Sequence, residues 1–242
     1  MKYNIQILKN IAQGKLSRYL ICGLFAGFAL GAGGFNLSAQ TTSGVEAQTT
    51  SASAESPLDE LTFVEMLNSV DLGKNYEIVQ KFQEKEAKNK LYAAYPPASK
   101  GGECTIELLR NREVLVITIP ARLLFAPNDT ELKESASKYL TPIKRYLKEP
   151  DLYRVMLAMH TDNTGSDQYR EELTADRVDA VYEWFEEHGS PTQYLFPYAL
   201  GDDMPRVPNT SMADRDTNRR LEIYLVPGEK MLNMAKIGRI EM

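Results

Sequence analysis

The densest chemistry in this 242-residue sequence lies in two runs, His160-Thr161-Asp162-Asn163-Thr164-Gly165-Ser166 and Leu173-Thr174-Ala175-Asp176-Arg177. The first sits on the loop leaving an apolar strand. The second places Arg177 one to two turns inside the following helix. Asp162 and Arg177 are 15 residues apart, but a loop that folds back lets both face one cleft. A carboxylate and a guanidinium a few ångströms apart complement a ligand that carries an ammonium and a carboxylate on one carbon. The Asp accepts hydrogen bonds from the ammonium, and the Arg forks the carboxylate through two parallel bonds. A free α-amino-acid end fits that description. The same spacing equally suits a structural Asp162–Arg177 salt bridge.

Other chemistry is thin. His160 and Asp162 stand at i and i+2 of a strand end with no further base or ligand beside them, so His160 reads as a packed strand residue rather than a metal ligand or general base. His188, the second of two histidines, falls in a last helical turn, where its charge suits the dipole. Trp184 and Phe185 read as core. Cys104 reads as buried and inert, and with one other cysteine, Cys22, no Cys/His zinc site is expected. No Ser–His–Asp or Cys–His arrangement assembles. The expectation is a protein without catalysis, metal or cofactor. Net charge is −5 and no Lys/Arg cluster tracks phosphates, which argues against nucleic acid as a partner.

The elements that must position these residues start near residue 103. Strands are expected at Thr105–Leu109, Val114–Ile119 (ended by Pro120), Leu152–Met159, Tyr194–Leu200 and Arg219–Val226. Helices are expected at Thr130–Lys148, with Leu132, Ala136, Tyr139, Ile143 and Leu147 as its buried stripe and Asp129 or Thr130 as its cap, and at Asp167–His188, with Gly189 past its end. This is an α+β fold: a mixed β-sheet with two helices on one face, ordered β-α-β-α-β-β, over residues 103–227. Residues 228–242 are left as a C-terminal tail.

Upstream, Leu58, Leu61, Val64, Leu67 and Val70 recur every three residues and predict a helix opened by Ser56-Pro57. Gly73 interrupts it, and a second helical stretch, Tyr76–Tyr92, ends before Pro96-Pro97. Residues 58–97 therefore form a helical spacer or a helix packed on the next domain, or else a self-association or partner-binding helix. Residues 40–57 are Thr, Ser, Ala, Gln and Gly with few large apolar groups, a flexible tether. Residues 1–39 carry Lys2, Lys9, Lys15 and Arg18, then an uncharged run Leu20–Phe35, then Leu37-Ser38-Ala39-Gln40, the order of a secretory signal peptide cut near Ala39. The alternative is an uncleaved anchor over Tyr19–Leu37, in which Gly23, Gly27 and Gly31 would let two helices approach. Either way the positive flank stays cytoplasmic and the remainder is exported. Cys22 stands at the start of the apolar run, which disfavours a lipoprotein.

The quoted runs resemble the OmpA-like peptidoglycan-binding family, whose hallmarks are G-H-T-D-x-x-G, then N-x-x-L-S-x-x-R-A, then a late N-R-R. Here they stand as Met159-His160-Thr161-Asp162-Asn163-Thr164-Gly165, Leu173-Thr174-Ala175-Asp176-Arg177-Val178 and Asn218-Arg219-Arg220, with the opening Leu124-Phe125-Ala126-Pro127-Asn128. The resemblance covers residues 103–227. It implies that Asp162 and Arg177 clasp the free amino-acid centre of meso-diaminopimelate in uncrosslinked stem peptides. It implies a binding set completed by Thr161, Asn163, Leu173, Arg170, Phe125, Asn128 and Arg220, with Arg219 and Arg220 mainly positioning or rim charges. Three positions depart from the family pattern: Arg170 replaces a ligand-facing Asn, Ala126 an acidic residue and Met159 a Gly. Arg170 would compete for Asp162 or add a contact to a ligand carboxylate. The function implied is non-catalytic wall binding in the periplasm, at the outer membrane or wall, or from an inner-membrane anchor if the N-terminus is not cleaved. The alternative is a scaffold for envelope protein assembly with weak or no wall binding.

Overall fold

A computed structural model describes residues 58–242. The signal or anchor reading of 1–39, the tether 40–57 and the Ser56-Pro57 helix start lie outside the described residues. Among those described, no helix is long and apolar enough to cross a membrane.

The chain first forms a short helix α1 (Phe63–Leu67). Thr62 and Glu65 cap it reciprocally, each side chain accepting from the other's backbone N–H, so the start falls there rather than at Ser56-Pro57. Gly73 then adopts φ +52 and breaks the path before helix α2 (Tyr76–Glu86), which runs on through a π turn (Ala87–Leu91) and a last turn (Tyr92–Ala94). Strands β1 (Thr105–Leu109) and β2 (Val114–Pro120) form a hairpin whose turn places Arg110, Asn111 and Arg112 at positive φ. The expected helix 130–148 is broken. A 3-10 turn (Glu134–Ala136) leads into α3 (Ser137–Leu140), and a second (Thr141–Ile143) leads into α4 (Lys144–Leu147). Pro142 lacks the N–H that a continuous α-helix needs, so the path tightens around it. Asp129 caps no helix; its Oδ1 accepts Glu131 N–H at 3.1 Å in a local turn. Then follow β3 (Tyr153–His160), α5 (Asp167–Glu187), β4 (Leu195–Ala199), α6 (Met212–Asn218), β5 (Arg220–Pro227) and α7 (Glu229–Lys236).

The five strands order β1-β2-β5-β3-β4. All neighbours are antiparallel except β3 and β4, which α5 joins as the crossover a parallel pair requires. The sheet is mixed and accompanied by helices, as the sequence predicts. The difference lies in its coverage. Alternate residues of the central strands (Leu115, Ile117, Val155, Leu157, Ile223, Leu225) pack with Leu140, Ile143, Val181 and Phe185 on one face. The other parity (Val114, Val116, Met156, Ala158, Tyr224, Val226) forms a second apolar face, and α1 covers it with Phe63 and Met66. The Phe63 ring meets Tyr198 and Tyr224 edge-on at 5.5 and 5.2 Å. Burying these two side chains contributes roughly 1.5–3 kcal/mol each.

Residues 58–97 pack on the following domain, one of the two structural readings of that segment, and the tail 228–242 packs there too. Val79, Leu91, Tyr95, Met231 and Ala235 belong to the same buried cluster as the sheet. Gln83 sits wholly inside, its Nε2 donating to Glu113 O at 2.8 Å and its Oε1 accepting from Tyr153 Oη at 2.8 Å. Tyr95 Oη donates to Tyr139 O at 2.6 Å. A sheet whose strands are apolar on both faces cannot be covered by residues 103–227 alone, and the flanking segments supply the remainder.

Candidate functional site

At the end of β3, Thr161 N–H donates to Gly201 O at 2.8 Å, which fastens the departing chain to the exit of β4. Asp162 then folds a local turn, its Oδ1 accepting from Thr164 N–H at 2.8 Å and from Thr164 Oγ1. Gly165 has φ +86, and a Cβ there would stand 2.7 Å from Tyr169 Cδ1, so both the backbone and the close approach of Tyr169 require glycine. Ser166 caps α5 by accepting from Tyr169 N–H at 3.2 Å. The motif thus encodes its own loop and helix start.

Asp162 has 1% of its surface exposed, and its other oxygen, Oδ2, accepts from Arg219 Nη1. Burial alone would raise its carboxyl pKa. The Thr164 bonds and the Arg219 charge outweigh burial and leave the pKa below the ordinary value. Arg177 is not its partner. Arg177 is 4% exposed and lies over the Phe125 ring, 4.9 Å from its centroid. It donates from Nε to Asp129 O at 2.8 Å and from Nη2 to Ala126 O at 3.3 Å. Burial pulls its pKa below the usual arginine value, against the opposing charges of Tyr169 and Asp129, and Arg219 is close enough to add its own depression. The structural Asp162–Arg177 salt bridge therefore does not form. The carboxylate belongs to Arg219, and the guanidinium rests on backbone carbonyls of the loop after β2.

The other expected residues divide. Phe125 is buried beneath Arg177, and Leu173 is buried in α5. Asn128 is exposed at φ +57, and Asn163 is exposed with its Oδ1 accepting from Arg215 Nε at 3.3 Å. Thr161 is buried against the β4 exit. Arg170 does not compete for Asp162. It donates to Asp202 Oδ1 at 2.7 Å and Gly165 O at 2.6 Å and pairs with Asp167, tying the loop after β3 to the loop after β4. Met159 is core, and the Ala126 position contributes its carbonyl rather than a side chain.

Arg220 is a correction. It is 3% exposed and donates to Glu222 Oε1 (2.8 Å), Asn218 O (3.0 Å) and Met204 O (3.0 Å). Glu222 also accepts from Arg206 Nε at 2.9 Å and Tyr224 Oη at 2.5 Å. Strand parity is the reason. Arg220, Glu222 and Tyr224 share one face with His160, which pairs with Arg220 across the strands. His160 Nε2 stands 3.5 Å from Glu222 Oε2, too loose for a hydrogen bond. Among the described residues no group of His, Cys, Asp and Glu could hold a metal ion. Arg219, expected as a positioning or rim charge, lies at the rim and is the residue that reaches Asp162. The available signal was parity: Arg219 shares the phase of Leu221 and Ile223, on the face that carries α5.

Residues 124–219 match the OmpA family. The chain is 35% identical over 109 residues to the outer-membrane lipoprotein YfiB of Pseudomonas aeruginosa, covering 45% of this chain and 64% of that protein. It is 36% identical over 102 residues to the peptidoglycan-associated lipoprotein of Legionella pneumophila, covering 41% of this chain and 56% of that protein. It thus spans less than two thirds of the length of these relatives. A MotB-like protein from Desulfovibrio vulgaris has the same fold, with a TM-score of 0.52 and 24% identity over 63% of this chain and 98% of that one. The segment that holds Phe125, Asp162, Arg177 and Arg219 is the one that is similar to the OmpA family.

Proposed function

We propose that this chain binds peptidoglycan without catalysing a reaction, taking the free amino-acid end of a diaminopimelate stem peptide between Asp162 and Arg177. The observation that carries the reading is the state of Arg177. It is a nearly sealed guanidinium whose hydrogen bonds, among the described residues, go only to backbone carbonyls, beside a loop that holds a buried carboxylate. A buried cation without a carboxylate of its own is costly, and an incoming carboxylate offsets that cost. The names of the relatives support the same direction, one being called an outer-membrane lipoprotein and one a peptidoglycan-associated lipoprotein. The corresponding location is the cell envelope outside the cytoplasm, at the wall or outer membrane, or tethered to the inner membrane through residues 1–39.

Co-sedimentation with purified diaminopimelate-containing wall tests the reading. Asp162→Asn and Arg177→Gln should each weaken binding by about 10- to 100-fold, the range of a lost charge-assisted contact. Circular dichroism should remain that of the parent. Variants that pellet with wall as the parent does would end this reading.

A further inference from the structure

The carboxylate that would receive an ammonium is already occupied. Thr164 takes two of the acceptor positions of Asp162, Arg219 takes a third, and the residue is 1% exposed. The exposed charge at this place is Arg219, whose side chain is 30% accessible. Arg219 also donates from Nη2 to Asp216 Oδ1 at 3.3 Å. Asp216 in turn accepts from Arg122 Nε at 3.3 Å, and Arg122 pairs with Glu103. A rail of alternating charge, Glu103–Arg122–Asp216–Arg219–Asp162, therefore runs along the rim and ends on the buried carboxylate. The guanidinium at its end is held on two sides by acids, one sealed and one open.

We propose that Arg219 is the selectivity-determining residue of this site. It fills Asp162 as an internal counter-ion and yields only to a ligand that brings a carboxylate together with its ammonium. The proposal rests on the wall-binding reading. When an α-amino-acid end arrives, its carboxylate meets Arg177, which has no acid partner among the described residues, and Arg219, which then turns from Asp162 toward the ligand while keeping Asp216. The ammonium takes the vacated place on Asp162 Oδ2. An ammonium that lacks the adjacent carboxylate has to expel Arg219 with only Asp216 to receive it, and Asp216 is already shared with Arg122. Arg219 therefore discriminates against stem peptides ending in a plain amine.

The test uses two N-acetylated tripeptides, Ala-γ-Glu-diaminopimelate and Ala-γ-Glu-lysine, which differ by the carboxylate on the terminal side-chain carbon. Calorimetric titration of the 242-residue chain should show the diaminopimelate peptide favoured about tenfold or more. In Arg219→Gln the lysine peptide should tighten about tenfold and the preference should narrow, because its ammonium reaches Asp162 unopposed. Asp216→Asn removes the acid that receives the displaced cation and should weaken the diaminopimelate peptide by about threefold while preserving the preference. If the parent binds the diaminopimelate peptide but Arg219→Gln gains nothing for lysine, or loses both peptides, the selectivity role falls and the wall-binding reading stands. If neither peptide binds parent or variant, and Asp162→Asn does not change wall sedimentation, both fall.

Discussion

Two arginine–carboxylate clusters grow from adjacent residues at the same end of the sheet. Arg219 meets Asp162 at the rim, partly open to solvent, with a neighbouring guanidinium that has no acid partner among the described residues. Arg220, one residue on, meets Glu222 in the interior, where Arg206 and Tyr224 complete the acid's hydrogen bonds and both residues of the Arg220–Glu222 pair are at most 5% exposed. The composition is nearly the same in both. What differs is how many partners the fold supplies. The interior carboxylate is saturated by the protein and locks strand ends together, whereas the rim cluster leaves a cation over. A one-residue change of phase on a strand, with its period of two, sends a charge to opposite faces and to opposite roles.

The largest effect that would sharpen this contrast is at Glu222. Glu222→Gln strands Arg220 and Arg206 without their acid, and urea unfolding should show a loss of about 3–5 kcal/mol. The equivalent change at the rim, Asp162→Asn, should cost the fold far less while abolishing most wall binding. Equal stability losses for the two would erase the distinction.

The second effect is in pH. Burial lowers the His160 pKa, and Arg220 adds to that. A histidine depressed in the folded state takes up its proton first when unfolded, so stability falls as pH drops below about 6.5. Burial alone would raise Glu222, but the Arg220 and Arg206 guanidiniums beside it outweigh burial and hold the carboxyl well below its ordinary value. Its contribution is present above about 4.3 and is lost as pH falls further. Asp162 is likewise lowered, so the rim carboxylate stays ionised until below about 3.9. Thermal melts across pH 7 to 4 should decline in the parent, with His160→Gln removing the portion above pH 5. Wall binding, measured at low temperature where the fold persists, should hold to about pH 4. Binding that fades in step with His160 protonation would couple the clusters and defeat the separation.

The smallest effect is at Arg170. Its bonds to Asp202, Gly165 O and Asp167 stitch two loops rather than contact Asp162. Arg170→Ala should cost about 0.5–1 kcal/mol in thermal denaturation and change wall affinity by less than about threefold. A tenfold loss of binding would make it a ligand contact after all.

Much of this was legible beforehand. The strands β1 to β5 announce themselves through short apolar runs bounded by Pro, Gly and Asn, and α5 through its length, its Ser166 cap and Gly189. The turn Asp162–Thr164–Gly165 is local chemistry that needs no distant partner. Pro142 marks the break in the sequence as well, but the apolar stripe of 130–148 continues across it and masks the signal. That 58–97 packs on the following domain was one of the readings the sequence allows, but which face it covers, and the packing of 228–242, were not legible, because an amphipathic helix shows that it must cover something and not what it covers. The partner of Asp162 was hidden for a related reason. Strand alternation places Arg219 and Arg220 on opposite faces, but the chain leaves β3 at Thr161, and beyond that point parity no longer predicts where the carboxylate turns.

Sequence alone determined which residues are charged within apolar strands, which loop closes on itself after β3, and the family to which that loop is similar, since these depend on neighbours a few positions away. Tertiary structure decided that Asp162 faces Arg219 across 57 residues and that Arg177 rests on the Asp129 carbonyl across 48. It also decided that α1 seals the second face of the sheet. Pairings over such separations are selected by the packing of whole elements. A buried charge takes whichever partner that packing delivers, because remaining without one costs more than almost any local preference can offset.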